Sequence, residues 1–85
     1  MLPEPPPDLP EAPRAFYGEL RRHVTEAEEV DFGDSGIGVM LGGGAGAQVS
    51  RRAAVVFTAA ETAHFDERAP DWATAAAAWL VSHLP

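Results

Sequence analysis

Three residues in the second half of the chain have the types and the spacing of a metal-binding cluster. Glu61, His64 and Asp66 follow one another in the pattern Glu-x-x-His-x-Asp. If this segment is helical, Glu61 and His64 lie on one face, and proteins that bind two metal ions inside a helical bundle use the Glu-x-x-His pair twice. The chain has one copy, so a dimer would have to supply the second. A solvated helix face is the alternative interpretation.

A second motif is the tetrapeptide Gly33-Asp34-Ser35-Gly36. It resembles the segment around the nucleophile of chymotrypsin-like serine proteases, which implies a fold of two β-barrels with an acid and a histidine upstream of the serine. Here the only upstream histidine is His23, on a predicted helix, and 85 residues are too few for two barrels. We therefore interpret the tetrapeptide as a turn whose side chains bond local amides.

The glycine-rich segment 42–46 has the composition of a loop that binds phosphate through backbone amides. The spacing Gly-x-x-x-x-Gly-Lys-Ser/Thr is absent, no lysine follows, and the next segment has the pattern of a strand. A flexible hairpin loop is the simpler interpretation. The sequence indicates no catalytic residue and no cofactor.

Four residues are candidates for contact with a partner: Tyr17, Arg51, Arg52 and Trp72. Tyrosine and tryptophan are enriched at the centres of protein interfaces, whereas core packing is the default role of an aromatic side chain.

Composition limits the classes of partner. Thirteen carboxylates against six arginines, with no lysine, give a formal net charge of -7. This field repels nucleic acid and anionic membranes and favours a basic or arginine-bearing protein, unless the acidity serves only solubility. Because the chain is short and has no cysteine, we also expect it to form a homodimer or another homo-oligomer.

The composition also suggests an origin and a location. Ala, Arg, Pro and Gly are abundant while Lys is absent, which favours a bacterial source. The first residues lack the charged and apolar regions of a signal peptide, and no apolar stretch approaches the length of a membrane span. The prediction is a cytoplasmic protein.

The chain divides into a proline-rich arm, residues 1–11, and one α+β domain, residues 12–85. The prolines favour an irregular, loosely packed arm, with PxxP spacing as a second interpretation. Apolar periodicity predicts a helix over 13–28, and short alternating runs predict strands near 30–32, 37–41 and 48–58, with a possible bulge at Arg51. A capping box at Thr58–Glu61 predicts a second helix, which Pro70 interrupts and which resumes over 71–84.

The predicted architecture is α-β-β-β-α, a three-stranded antiparallel meander covered on one face by helices. This order resembles the topology of double-stranded RNA-binding domains. Their basic last-helix start is replaced here by Asp66, Glu67 and Asp71, which opposes RNA binding.

The favoured function is a non-enzymatic protein-interaction module, such as a small adaptor, an inhibitor or antitoxin-like protein, or an assembly subunit. It would bind another protein through an acidic face or an exposed sheet edge. The alternative is a small enzyme or ligand- or metal-binding domain that uses Glu61, His64 and Asp66 beside the glycine-rich loop.

Overall fold

Five strands and two helices form the domain. The structure is a computed structural model that describes residues 2–84; Met1 of the predicted arm and Pro85 of the predicted domain lie outside the described residues. The elements in chain order are α1 (Glu11–Arg21), β1 (Glu29–Phe32), β2 (Ile37–Gly42), β3 (Ala45–Val49), β4 (Ala53–Phe57), β5 (Thr62–Asp66) and α2 (Trp72–Ser82).

The sheet is an antiparallel meander in the order β1-β2-β3-β4-β5. Each pair of neighbouring strands is joined by a two-residue reversal, at 34–35, 43–44, 51–52 and 59–60. The 43–44 reversal consists of Gly43 and Gly44, both with positive φ, as a two-residue hairpin of the primed type requires. The predicted antiparallel meander is confirmed, but it has five strands instead of three.

The first of the two strands that the prediction lacks arises because the segment 48–58, predicted as one strand, is a hairpin. Ser50 donates its amide to the carbonyl of Ala53 at 2.8 Å, and its hydroxyl bonds the Ala53 backbone as well. The imperfect alternation at Arg51, interpreted above as a bulge, marks a complete reversal. β3 ends before it and β4 begins after it.

The second strand that the prediction lacks, β5, follows the predicted capping box. The Thr58 hydroxyl oxygen accepts from the amides of Ala60 and Glu61 at 3.2 and 3.1 Å, as at a helix start. The Thr58 amide, however, donates to the Glu61 carbonyl at 2.8 Å, which closes a hairpin. The chain therefore returns beside β4 as β5, and the prediction of a helix that starts at Thr58–Glu61 and is interrupted by Pro70 is wrong. This also removes the topological resemblance to RNA-binding domains.

Both helices lie on one face of the sheet, as predicted. α2 packs on β4, β5 and β3, while α1 packs mainly on α2 and reaches β3. Small side chains at Ala73, Ala76 and Ala77 are buried, so α2 approaches the sheet closely. The central strands contribute alternate residues to the same core: Ile37, Val39, Ala47, Val49, Ala54 and Val56.

α1 is shorter than the predicted helix over 13–28. It begins at Glu11 and ends at Arg21, and the Val24 amide still donates to Leu20. Glu28 donates its amide to the Met40 carbonyl at 2.7 Å, so the chain has already joined the sheet there. Pairing with β2 overrides the helical periodicity of Val24 and Ala27, both half-buried against the core.

The proline-rich arm is packed, contrary to the loose leader expected. Leu2 and Leu9 are 3% and 5% exposed. Prolines remove amide donors but keep their carbonyls, and Arg14 donates to the carbonyls of Pro6 and Pro7 at 3.1 and 2.7 Å. The arm thereby extends the covered side of the domain.

Gly36 is required by close approach of two strands. A Cβ at this position would overlap the carbonyl oxygen of Val49. We predict that Gly36→Ala lowers the free energy of unfolding by about 2–3 kcal/mol, because backbone must move to admit the methyl group. Gly18, exposed on α1 with no heavy atom within 4 Å of an added Cβ, is the matched control.

Gly18→Ala is expected to raise stability by up to about 1 kcal/mol, since alanine favours the helix. Urea unfolding followed by circular dichroism measures both variants. Equal stability of the two would contradict the described approach of β2 to β3.

Candidate functional site

One face of the sheet has no covering layer within residues 2–84. We call it the open face; its side chains point away from α1 and α2. Strand register places its residues in two cross-strand rows. The rows are Glu29-Met40-Gly46-Phe57-Thr62 and Asp31-Gly38-Gln48-Val55-His64, with Ala53 and Asp66 at one end.

The centre of the open face is apolar. Met40 is 37% exposed, and Phe57 and Val55 are half-buried. A Cβ added to Gly46 would lie 3.0 Å from both the Met40 sulfur and the Phe57 Cζ atom, so these two side chains extend over the glycine from its two neighbouring strands. Met40 and Phe57 thus cover the glycine position and, with Val55, form the apolar centre of this face.

The β1 border of the open face is acidic. Glu29 and Asp31 project from it, and Glu26, Glu28 and Asp34 lie close by in the chain. No arginine or lysine occurs between Arg22 and Arg51, so these five carboxylates have no cation from their own segment. The opposite border carries Thr62, His64 and Asp66, and Asp66 is paired with Arg68 at 3.4 Å. Negative charge is therefore concentrated at β1.

A shallow groove of about 400 Å³ lies at the Gly36 and Gly38 end of the open face. Asp31, Gln48 and Val55 contribute to its lining. Asp31 is the one ionisable side chain among its lining residues. Its size and openness suit a side chain of a bound protein.

The three metal candidates are not brought together. His64 and Asp66 lie on the open face two residues apart on β5, whereas Glu61 lies in the turn before it, with a carboxylate oxygen 3.7 Å from His83 Nε2 at the end of α2. Within residues 2–84 there is no group of three or more His, Asp or Glu side chains placed to hold a metal ion. The helical face on which the cluster was predicted does not form, because the segment is a strand.

Tyr17 lies inside the domain and does not face solvent. Its ring is fully buried, packs edge-on against Phe32 with centroids 5.3 Å apart, and its hydroxyl donates to the Pro3 carbonyl. Burial raises the pKa of Tyr17 above its ordinary value of 10.0, although the nearby Arg21 guanidinium opposes this shift. Tyr17 fastens the arm to α1 instead of presenting an anchor to a partner.

The other three partner candidates lie at one end of the domain. Arg51 and Arg52 form the exposed reversal between β3 and β4, and Trp72 is 9% exposed at the start of α2. Arg51 and Trp72 line a shallow groove of about 390 Å³ together with Glu11 and Glu67. These residues do not lie on the open face.

Sequence reasoning missed Met40, Val55 and Phe57 as surface residues. In the single strand predicted over 48–58, alternation would put Val49, Val55 and Phe57 on one face, but the reversal at 51–52 places Val49 in the core and the other two on the open face. The available signal was the alternation in β2, where Met40 falls between Val39 and Leu41. Because Gly46 has no side chain, the pattern gives no indication of the surface that Met40 and Phe57 form.

Comparison with known proteins does not add a relative. No family model matches the chain, and neither the curated proteins nor the solved structures yield a match. Among the described residues, no helix has the length and apolarity needed to cross a membrane. The bacterial origin and the cytoplasmic location remain predictions from the sequence.

Tyr17 gives the domain a specific response to alkaline pH. The chain has one tyrosine and no lysine, so no other side chain ionises between about pH 9 and 12. Because the pKa of Tyr17 is higher in the folded state than its ordinary value, the contribution of the protonated hydroxyl to the free energy of unfolding is complete below pH 10.0. This contribution is lost as the pH rises through the folded-state pKa. We predict that the urea midpoint falls above about pH 10.

The matched control is Tyr17→Phe, which keeps the ring and removes the ionising group. Its urea midpoint is expected to be independent of pH over the same range, and lower than that of the parent chain at pH 7 because the bond to Pro3 is lost. An equal alkaline decrease in both proteins would show that another process is responsible.

Proposed function

We propose that this protein is a non-enzymatic interaction module that binds an arginine- or lysine-bearing protein on the open face of its sheet. The main observation in its support is that the carboxylates of β1 lie beside an uncovered apolar centre, which consists of Met40, Val55 and Phe57. This combination matches the composition of an interface, in which methionine and aromatic residues form the centre and polar groups form the rim.

Layer packing supports the assignment to this face. A sheet with one apolar face needs one covering layer, which α1 and α2 supply. If the second face contacted only water, its outward-pointing residues would be polar along every strand. Here the middle of the second face carries Met40, Phe57 and two glycines in adjacent strands, Gly38 and Gly46. Contiguous exposed apolar surface with a polar border marks an interaction site in a small protein.

Charge defines the kind of partner. Five carboxylates cluster at and near β1, and a cationic segment would be drawn toward that edge before it contacts the apolar centre. The backbone groups of Val30 and Phe32 point away from β2, because Gly33 bonds Gly36 and ladder bonds alternate along the strand. An extended basic segment could thus gain both ion pairs and main-chain bonds there.

The alternative of an enzyme or metal site has weaker support. Glu61 is directed away from His64 and Asp66 toward His83, and the groove on the open face is lined by a single ionisable group. The proposal consequently assigns Glu61 and His64 no chemical step. It also assigns the module no cofactor.

The test uses a peptide array in which arginine content and large apolar content vary independently. We expect binding to peptides that combine both, with Met40→Asp weakening the dissociation constant about tenfold because a charge enters the apolar centre. Glu29→Gln with Asp31→Asn is expected to weaken binding and to reduce its dependence on salt. Fluorescence anisotropy with labelled peptides measures each constant.

The matched control is Glu11→Gln with Glu67→Gln, which changes net charge by the same amount in the groove beside Trp72, away from the open face. The proposal requires this pair to leave binding nearly unchanged. Equal losses for the two pairs would mean that binding follows net charge alone, and an unaffected Met40→Asp variant would exclude the open face.

A further inference from the structure

The geometry points to a second copy of this chain as the occupant of the β5 edge. We infer that two chains pair antiparallel through β5 about a two-fold axis at His64, so that two five-stranded sheets become one of ten strands. Strand addition of this kind satisfies free backbone groups of both copies at once. The inference does not depend on the partner proposed for the open face.

The backbone of β5 has the required symmetry. The bonds from the Thr58 amide to the Glu61 carbonyl, at 2.8 Å, and from the Glu67 amide to the Arg52 carbonyl, at 3.0 Å, fix the alternation. Residues 61, 63, 65 and 67 therefore bond β4, while Thr62, His64 and Asp66 direct their backbone groups outward. This outward set is symmetric about His64, as an isologous pairing demands.

Pairing about His64 forms about four intermolecular hydrogen bonds in the most direct register. The two His64 residues exchange amide and carbonyl bonds, and each Asp66 amide meets the Thr62 carbonyl of the opposite chain. The Asp66 carbonyl already accepts from the Ala69 amide at 3.2 Å, so the count excludes it. Arg68 also donates its amide to the Asp66 carboxylate at 2.9 Å, which orients that side chain.

Within the strand Thr62–Asp66, the side chains fit the same register. On the open face, Thr62 lies opposite the partner subunit's Asp66, a hydroxyl beside a carboxylate. On the covered face, Ala63 lies opposite the partner subunit's Phe65, so a small residue meets a large one twice. Ala63 and Phe65 are both half-buried and already pack against the core, which the dimer would extend across the axis.

The β1 edge is unsuited to self-pairing. It has four residues and two outward-pointing positions, Val30 and Phe32, and Glu28 and Glu29 both lie opposite Met40. Two copies joined there would bring two clusters of five carboxylates together. β5 itself, Thr62–Asp66, has one carboxylate, and this Asp66 is paired with the Arg68 guanidinium at 3.4 Å.

The first test changes one backbone donor. His64→Pro removes the outward amide while leaving every β4–β5 bond, and proline is tolerated on an edge strand whose amide faces outward. His64→Ala is the matched control, since it removes the same exposed side chain and keeps the amide. Light scattering coupled to size exclusion is expected to give twice the 9.0 kDa chain mass for the parent and His64→Ala, and one chain mass for His64→Pro.

The second test uses charge and remains decisive if His64→Pro fails to fold. Thr62→Glu would face the partner subunit's Asp66 twice in the dimer, and Thr62→Lys would form two opposite-charge pairs there. Sedimentation equilibrium is expected to give a dimer dissociation constant about three- to tenfold higher for Thr62→Glu than for Thr62→Lys, with the ratio shrinking at high salt.

A monomeric parent at every concentration would overturn the inference. A folded His64→Pro dimer, or equal constants for the two Thr62 variants, would also overturn it, because the contact would then lie elsewhere. Loss of peptide binding in the open-face experiment would leave these outcomes unaffected, so the two proposals fail separately.

Discussion

The rest of the structure depends on the packing of two eleven-residue helices against one face of a five-stranded sheet. Three alanines of α2 bring its backbone close to β4 and β5, and α1 closes the core beside it. The arm completes this side, where Leu2 and Leu9 are enclosed and Arg14 holds proline carbonyls. Within residues 2–84, every segment that covers the sheet lies on this side, which leaves the other face to solvent or to a partner.

The two-residue reversals explain how so short a chain builds such a wide sheet. Four tight turns leave most of residues 29–66 in strands, and glycines occupy the positions where backbone conformation or close approach demands them. Gly36 admits the Val49 carbonyl, and Gly46 lies beneath Met40 and Phe57. Because these glycines have no side chains, they also flatten the open face, so the residues that permit the turns and the close strand approach also shape the exposed surface.

Part of this arrangement is readable from the sequence. Alternation and glycine turns predict the antiparallel meander, and the apolar stripe of 71–84 predicts α2 nearly to its ends. The hairpins at 50–53 and 58–61 were missed because local chemistry is ambiguous. Thr58 forms the same side-chain bonds in a hairpin as at a helix start, and the choice depends on whether Thr62–Asp66 finds β4 as a neighbour. The site was harder to predict, since the unpredicted reversal at 51–52 transfers Val55 and Phe57 to the face opposite Val49.

The distribution of charge links the two uncovered edges to a closed assembly. A sheet with two free edges of similar chemistry would also pair head to tail, β1 on β5, and such pairing continues without limit. In this chain β1 is short, irregular at Glu28 and Glu29, and bordered by carboxylates, while β5 has an outward set symmetric about His64. Pairing of β5 with β5 therefore gives a closed dimer, because it uses one edge strand of each chain and leaves no further β5 edge free. The acidic β1 edges then lie at the two ends of the ten-stranded sheet, and the open faces remain available to a cationic partner.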